Sequence, residues 1–406
     1  MNIFFFTDHF KPEPSAPAAH VFERAKIWVR TGHDVTVICS APNFPEGRIY
    51  PGYKNRWRTV EIMDGIRVVR VKTFIAFNAG FAMRILDYAS YMFSALFFAM
   101  FEKKPDVVIS TSPHLFVPAA GVMYSKLKGV PHVFELRDLW PASIHALTPI
   151  RPKVIHRLLE KIELFLYSKS ARILSFTNSY ANDLQLRGVP REKIDVVICG
   201  GNLELYSPRQ KDREIERKYG LDKCFVVGYL GTIGMAHGLE NILDAAAILK
   251  GRTVKFLVVG VGAAKKVLEI QAQNMALDNI IFVPRQLQED MPHYWSVCDA
   301  ALIHLKNCDV FSKVIPSKLF IAMAMGLPII YVGPRSEGVS IMEQHESGTW
   351  VSPDSPKELA QEIINLIENS LRLKQYSTNG RKASHLYSRA RQANQTLDVL
   401  EKAMRG

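Results

Sequence analysis

Apolar residues in this chain follow two alternating rhythms. Short β-branched and aromatic runs read as buried strands, and longer stretches with apolar positions three and four apart read as amphipathic helices. In the first half, strands are expected near 2–7, 34–39, 66–72, 106–110, 131–137, 172–177 and 194–198. Helices are expected near 17–31, 81–101, 115–128, 152–170 and 179–187. The second half repeats the plan, with strands near 224–230, 254–259, 280–283, 300–304 and 328–332. Its helices fall near 238–249, 263–276, 289–297, 317–325 and 336–345, and two longer helical patterns, near 356–373 and 376–404, close the chain. Strand–helix alternation implies parallel sheets with crossover helices, hence two Rossmann-like, doubly wound α/β domains whose ligands bind beyond the carboxyl ends of the strands. The break between them is expected near 199–222, where Gly200-Gly201 and Pro208 precede a charged run, Arg209 to Lys218.

Composition agrees with this division. A chain of 406 residues, 48% hydrophobic and 22% charged, fits two globular domains. The start, Met1 to Phe6, lacks a basic segment and meets Asp8 at once, so no signal peptide is expected. Five scattered cysteines read as reduced and cytosolic. The net charge of +12 is uneven: residues 1–200 carry 26 Lys and Arg against 17 Asp and Glu. A basic first half suits a phosphate-bearing substrate or an anionic membrane surface; no nucleic-acid-binding motif is present, so nucleic acid is not an expected partner. Residues 88–101 form the most apolar run, too short to span a bilayer, which takes about 20 residues. It reads as a buried helix or as an interfacial one, helped by basic clusters at Lys54, Arg56 and Arg58 and at Arg151, Lys153 and Arg157.

Two segments of the second half carry candidate chemistry. Residues 312–333 run from a Pro-broken loop, including Lys313, Pro316 and Ser317, into a short helix opened by Lys318. A loop feeding a helix N-terminus gathers backbone N–H donors and the positive end of the helix dipole, and Lys318 adds a full charge suited to an anion. Gly228 to Gly238, with Gly231, Thr232, Gly234, Met235 and His237, lies between a strand and a helix and lets the backbone approach a phosphate. Alone, each segment also fits an ordinary loop of an α/β domain. Ser336-Glu337-Gly338 opens the next helix, as a cap or as a ligand contact. In the first half, Glu135, Arg137 and Asp138 end a strand, either as a structural ion pair or near a reacting centre. Ser15, Ala16 and Pro17 lead into a helix that carries His20, which reads as structural before catalytic; Asn43 to Arg48 form a polar loop beside it. No metal-ligand cluster is visible.

The motif words resemble the retaining glycosyltransferases of family 4, in a branch similar to the enzymes of O-antigen, colanic-acid and capsule synthesis, including N-acetyl-L-fucosaminyltransferases. They are Asp8-His9-Phe10-Lys11-Pro12-Glu13, Gly32-His33-Asp34-Val35, Pro42-Asn43-Phe44-Pro45-Glu46-Gly47-Arg48, Arg137-Asp138-Leu139-Trp140-Pro141, Gly231 to Gly238, and Pro316-Ser317-Lys318-Leu319-Phe320 with Met323 to Pro328. The resemblance implies a GT-B fold, two Rossmann-like domains facing across a cleft: an acceptor domain 1–203, a nucleotide-sugar domain 204–385, and a last helix, about 386–406, packing back on the first. It implies a metal-independent hexosyltransferase without cofactor, using a UDP-sugar donor and a lipid-linked saccharide acceptor, cytoplasmic and peripheral on the inner face of the membrane. The donor side would be Gly231, Thr232, Gly234, Met235, His237, Arg285, Gln286, Lys313, Pro316, Ser317, Lys318, Ser336, Glu337 and Gly338. Lys318, His237, Arg137 and Asp138 would serve the reaction, and Ser15, Ala16, Pro17, His20, Asn43 and Arg48 the acceptor.

The chain departs from the family at instructive places. Where many relatives carry Arg and Lys in the glycine loop, it has Thr232 and His237, which puts weight on Lys318, then Arg285, as phosphate cations. His237 would donate a hydrogen bond, or carry charge if phosphates raise its pKa. The family's glutamate pair is replaced by Lys313 and Ile321, with Glu337 the nearest acidic substitute. Two rivals stay open: a UDP-sugar epimerase of the same fold, and a non-catalytic scaffold of a polysaccharide assembly complex.

Overall fold

The computed structural model describes residues 1–75, 81–112, 114–139 and 153–406. It divides into two compact units, Met1–Ile198 with Ala390–Gly406, and Cys199–Arg389.

Unit 1 runs β1 (Asn2–Phe6), α1 (Ala16–Arg30), β2 (Asp34–Ser40), β3 (Arg58–Met63), β4 (Ile66–Val71), α2 (Phe81–Ala99), β5 (Val107–Thr111), α3 (Phe116–Lys128), β6 (His132–Leu136), α4 (Lys153–Lys169), β7 (Arg172–Ser175), α5 (Asn178–Leu186) and β8 (Ile194–Val196). Its eight strands lie in the order β3-β4-β2-β1-β5-β6-β7-β8, parallel except for β3 against β4. Along β1, side chains alternate between sheet faces. Phe4 and Phe6 join the core formed with Tyr91 and Ala95 of α2 and Ala120 and Tyr124 of α3. Phe5 instead stacks on Trp28 of α1, at 6.0 Å between ring centroids.

β3 was not expected from the sequence. Its edge position leaves every residue half-buried or exposed, with Val60 and Ile62 on the exposed side, so no buried apolar run marks it. Its hairpin to β4 turns on Asp64 and Gly65, both at positive φ, the geometry for which an Asp-Gly pair is suited.

Unit 2 runs α6 (Arg213–Tyr219), β9 (Phe225–Leu230), α7 (Glu240–Ile248), β10 (Val254–Val259), α8 (Lys265–Asn274), β11 (Ile280–Val283), α9 (Met291–Ser296), β12 (Ala300–His304), α10 (Asp309–Ser312), α11 (Lys318–Met325), β13 (Ile329–Val332), α12 (Glu337–Gln344), β14 (Gly348–Val351), α13 (Pro356–Glu368) and α14 (Ser370–Ser384). Its six strands, ordered β11-β10-β9-β12-β13-β14, are all parallel. The run expected as a linker contains α6, because the Asp212 carboxylate accepts from the Glu214 and Ile215 amides and caps it. The two closing helices are three: Asn369 ends α13 and caps α14 through Arg372 N–H at 3.0 Å, and α15 (Arg389–Arg405) follows Ser388. α15 is tied into unit 1 where Trp28 Nε1–H donates to Ala393 O at 2.9 Å.

Candidate functional site

The strongest site lies at the carboxyl ends of β9, β10, β12 and β13. β9 ends at Leu230, and Gly231 turns the chain at φ +137°, a conformation that L side chains rarely adopt. A Cβ at Gly231 would stand 2.5 Å from Lys318 Cε and 3.2 Å from its Nζ. The missing side chain therefore lets Lys318 lie across the turn. Lys318 Nζ stands 3.6 Å from the Tyr229 ring centroid, a cation–π contact. Burial, with no carboxylate opposing it, pulls this ammonium down to about 7. The two motifs expected to converge do so at one cation.

Tyr229 also fixes the loop, its hydroxyl donating to Thr232 O at 2.6 Å. His237 meets the same ring edge-on, 6.0 Å between centroids. Burial, then the Lys318 charge, pulls His237 down to about 3, so it is neutral. Its Nδ1 accepts from the Gly234 amide at 3.3 Å, and its carbonyl accepts from His304 Nδ1–H at 2.6 Å. His237 shapes the loop and leaves the cationic role to Lys318. Thr232 and Met235 are exposed on the loop.

A second turn, Gly260-Val261-Gly262 after β10, escaped the sequence reading. Gly231 N–H donates to Val259 O at 2.8 Å and Ile233 N–H to Val261 O at 2.9 Å. A Cβ on Gly260 or Gly262 would overlap the carbonyls of Gly231 or Ile233. Two glycines beyond a strand were the available signal; their purpose is backbone-to-backbone packing that supports the first loop.

The remaining donor candidates separate. Ser317 stands at the N-cap position of α11 but makes no side-chain cap bond. Pro316 packs beside Gly338, where a Cβ would lie 3.5 Å from Pro316 Cδ. Ser336 is a cap: its hydroxyl accepts from Val339 N–H at 3.4 Å and lies 3.1 Å from the Tyr331 hydroxyl. Glu337 is the first residue of α12. Lys313 ends α10. Arg285 and Gln286 follow β11, an edge strand two positions from β9, and Gln286 donates to Pro284 O at 2.9 Å. Among the described residues no group of three or more His, Cys, Asp or Glu could hold a metal.

In unit 1, Ser15 caps α1, accepting from Ala18 N–H at 3.2 Å, with Ala16 and Pro17 in its first turn. Arg137, just past β6, places Nη2 3.2 Å from His20 Nδ1 and Nη1 3.8 Å from Glu135 Oε1. Glu135 is fully buried, pairs with Arg24, and accepts from Thr111 Oγ1 at 2.8 Å. Arg137 and His20 thus belong to a structural charge network. Beside it, burial pushes the Asp138 carboxyl up to about 6 against the pull of Arg137. Asn43 builds its own loop, its amide donating to Glu13 Oε1 at 2.8 Å and its Nδ2 to Ala41 O at 2.9 Å; Arg48 is exposed. Trp140, Pro141 and Arg151 lie outside the described residues.

A further cluster at the end of β1 was also missed. His9 Nδ1 lies 2.7 Å from Glu13 Oε2, and His114 Nε2 lies 3.4 Å from Asp8 Oδ2. Burial disfavours the charge on His9, but the Glu13 hydrogen bond and the Asp8 charge outweigh it and hold the ring at about 9. Burial likewise opposes ionisation of Asp8, yet His114 and His9 keep it at about 2. The pair Asp8-His9 directly after a strand was the readable signal.

Residues 15–200 match the family described as the glycosyl transferase 4-like domain, and residues 210–383 the one described as glycosyl transferases group 1. A chain of Escherichia coli K12 named as a glycosyl transferase of colanic acid biosynthesis (WcaI) is 24% identical over 335 residues, 80% of this chain and 82% of that one. Two solved structures share the GT-B fold at 16% identity. Sucrose-phosphate synthase from Thermosynechococcus elongatus superposes with a TM-score of 0.79, covering 99% of this chain and 98% of that one. Anabaena HepE, in complex with UDP and glucose, superposes at 0.73, covering 99% of both. At such identity the likeness is one of fold.

Proposed function

The chain belongs to the glycosyltransferases that join a 4-like first domain to a group 1 second domain, and from that premise we propose a retaining, metal-independent enzyme of envelope polysaccharide synthesis. It moves a hexosyl residue from a UDP-sugar to a lipid-linked saccharide of an O-antigen, capsule or exopolysaccharide, within the branch resembling N-acetyl-L-fucosaminyltransferases. It works in the cytoplasm, peripherally on the anionic inner face of the membrane, and needs no cofactor.

One observation carries this reading: a half-buried cation, Lys318, without a carboxylate partner among the described residues, lies across the Gly231 turn at the N-terminus of α11. A departing diphosphate develops negative charge, and a positioned ammonium with helix-end amides stabilises it. In the transfer, the acceptor oxygen bonds to the anomeric carbon as the bond to the phosphate oxygen breaks on the same face. The acceptor proton passes to that phosphate oxygen. No separate base is needed. The WcaI likeness and the UDP-bound HepE fold support polysaccharide synthesis and a UDP-linked donor.

Calorimetric titration with UDP, GDP and ADP, followed by assay of slow hydrolysis of the matching nucleotide sugars, tests the proposal. UDP binding with sugar release is expected. Formation of an epimeric nucleotide sugar would assign the epimerase reading instead, and absence of any nucleotide binding would leave the scaffold.

A further inference from the structure

Helix α2 is apolar on two sides. Tyr91, Ala95 and Ala99 face the core, whereas Leu86, Phe93 and Phe97, with Phe101 just beyond the helix, are 48%, 62%, 57% and 68% exposed. The long apolar run is therefore neither wholly buried nor wholly interfacial. α4 repeats the arrangement: Leu166 and Tyr167 are buried, while Val154, Leu158, Ile162 and Phe165 form an exposed stripe at helical spacing. Between them, α3 exposes Met123 and Leu127.

These stripes share one face. Right-handed crossovers along β4-β2-β1-β5-β6-β7 put α2, α3 and α4 on the same side of the sheet, opposite α1. α2 packs on α3, and α3 on α4. The 19 residues of α2 span about 28 Å, and three neighbouring helices add about 20 Å of width.

Charge on this layer is one-sided. The segments 81–104, 116–128 and 153–169 hold nine Lys and Arg against four Asp and Glu. Two of those acids are engaged, Glu102 by Arg58 and Arg67, and Glu163 by Arg187. Arg84, Lys103, Lys104, Lys126, Arg157 and Lys161 remain exposed around the apolar band. Lys169 Nζ sits 5.3 Å from the Phe165 ring centroid, so a cation flanks an exposed aromatic. No helix among the described residues is long and apolar enough to cross a membrane.

We propose that the outward face of α2, α3 and α4 docks this protein on an anionic lipid surface. Phe93, Phe97, Leu158 and Phe165 enter the headgroup–acyl boundary while the surrounding Lys and Arg meet lipid phosphates. A protein partner could equally cover an apolar band; the excess of Lys and Arg around it, nine against four acids of which Glu102 and Glu163 are paired with arginines, favours anionic headgroups. The assignment rests on the peripheral-membrane part of the proposed function and names the surface responsible.

The test is flotation of the full chain with vesicles of phosphatidylcholine containing about a third phosphatidylglycerol, at low and high salt, beside Phe93→Glu/Phe97→Glu/Leu158→Glu and Lys103→Gln/Lys104→Gln/Lys161→Gln. Wild type should float at low salt and less at high salt. The charge variant should partition about a hundred-fold more weakly, at roughly five-fold per basic group. The apolar variant should lose flotation, with UDP affinity and Tm unchanged in both. If wild type floats and both variants float equally, this surface is wrong while the membrane reading stands. If wild type fails to float at low salt, the membrane reading falls and the surface with it. Self-association of wild type that the apolar variant abolishes, without vesicle binding, would assign the face to a second copy.

Discussion

The titration of Lys318 is the sharpest consequence of the site. Its ammonium is held at about 7 by burial, and a diphosphate beside it favours the charged form. Binding must therefore take up protons, and affinity must fall as pH rises past the free-protein value. With a pKa near 7, about half of the lysines are charged at pH 7 and about 3% at pH 8.5, a roughly fifteen-fold loss of binding-competent protein. Replacement by Met keeps the apolar stem over Tyr229 and removes the charge. Losing one charge-assisted hydrogen bond costs about 1.5–3 kcal/mol, or roughly 10–150-fold in affinity at pH 7. Calorimetry with UDP at pH 7.0, 7.75 and 8.5, in buffers of differing ionisation enthalpy, reads both effects. Wild type should weaken with pH and take up about half a proton at pH 7, and Lys318→Met should bind weakly without pH dependence over this range. A pH-independent wild type, or a Met variant of undiminished affinity, would refute the placement of the diphosphate at Lys318.

Two other outcomes probe the supporting structure. Gly262→Ala forces a methyl onto Ile233 O, and overpacking of this kind costs about 1–3 kcal/mol; both UDP affinity and the melting of unit 2 should drop, and an unchanged pair of values would show that the second turn does not brace the first. Glu135→Gln leaves Arg24, itself buried, without its carboxylate, at about 3–5 kcal/mol, which lowers the unit 1 transition by about 6–20 °C with UDP binding intact; scanning calorimetry showing a shift below about 2 °C would discount the pair.

The legible part of the site was the part with a local signature. Lys318 opening a helix after a Pro-broken loop, and glycines between β9 and α7, are patterns of consecutive residues. So is the Ser336 position, which suited a cap and is one. The protonation of His237 was not legible, because it depends on burial and on Lys318, which is 81 positions away in the chain. Glu135 and Arg24 gave no hint of pairing for the same reason. Gly260 and Gly262 were readable as glycines but not as a brace, since the carbonyls they approach belong to another loop.

Hydrophobic periodicity by itself determined the succession of strands and helices, the parallel sheets that follow from their alternation, and the existence of two units. Short-range patterns carry that information, because backbone hydrogen bonding and burial of one face act over a few residues. The edge strand β3 and the return of α15 to Trp28 were decided by packing among distant segments. So were the neutral His237 and the outward apolar faces of α2 and α4. Burial sets each of these, and how deeply a side chain is covered is a property of the folded chain alone.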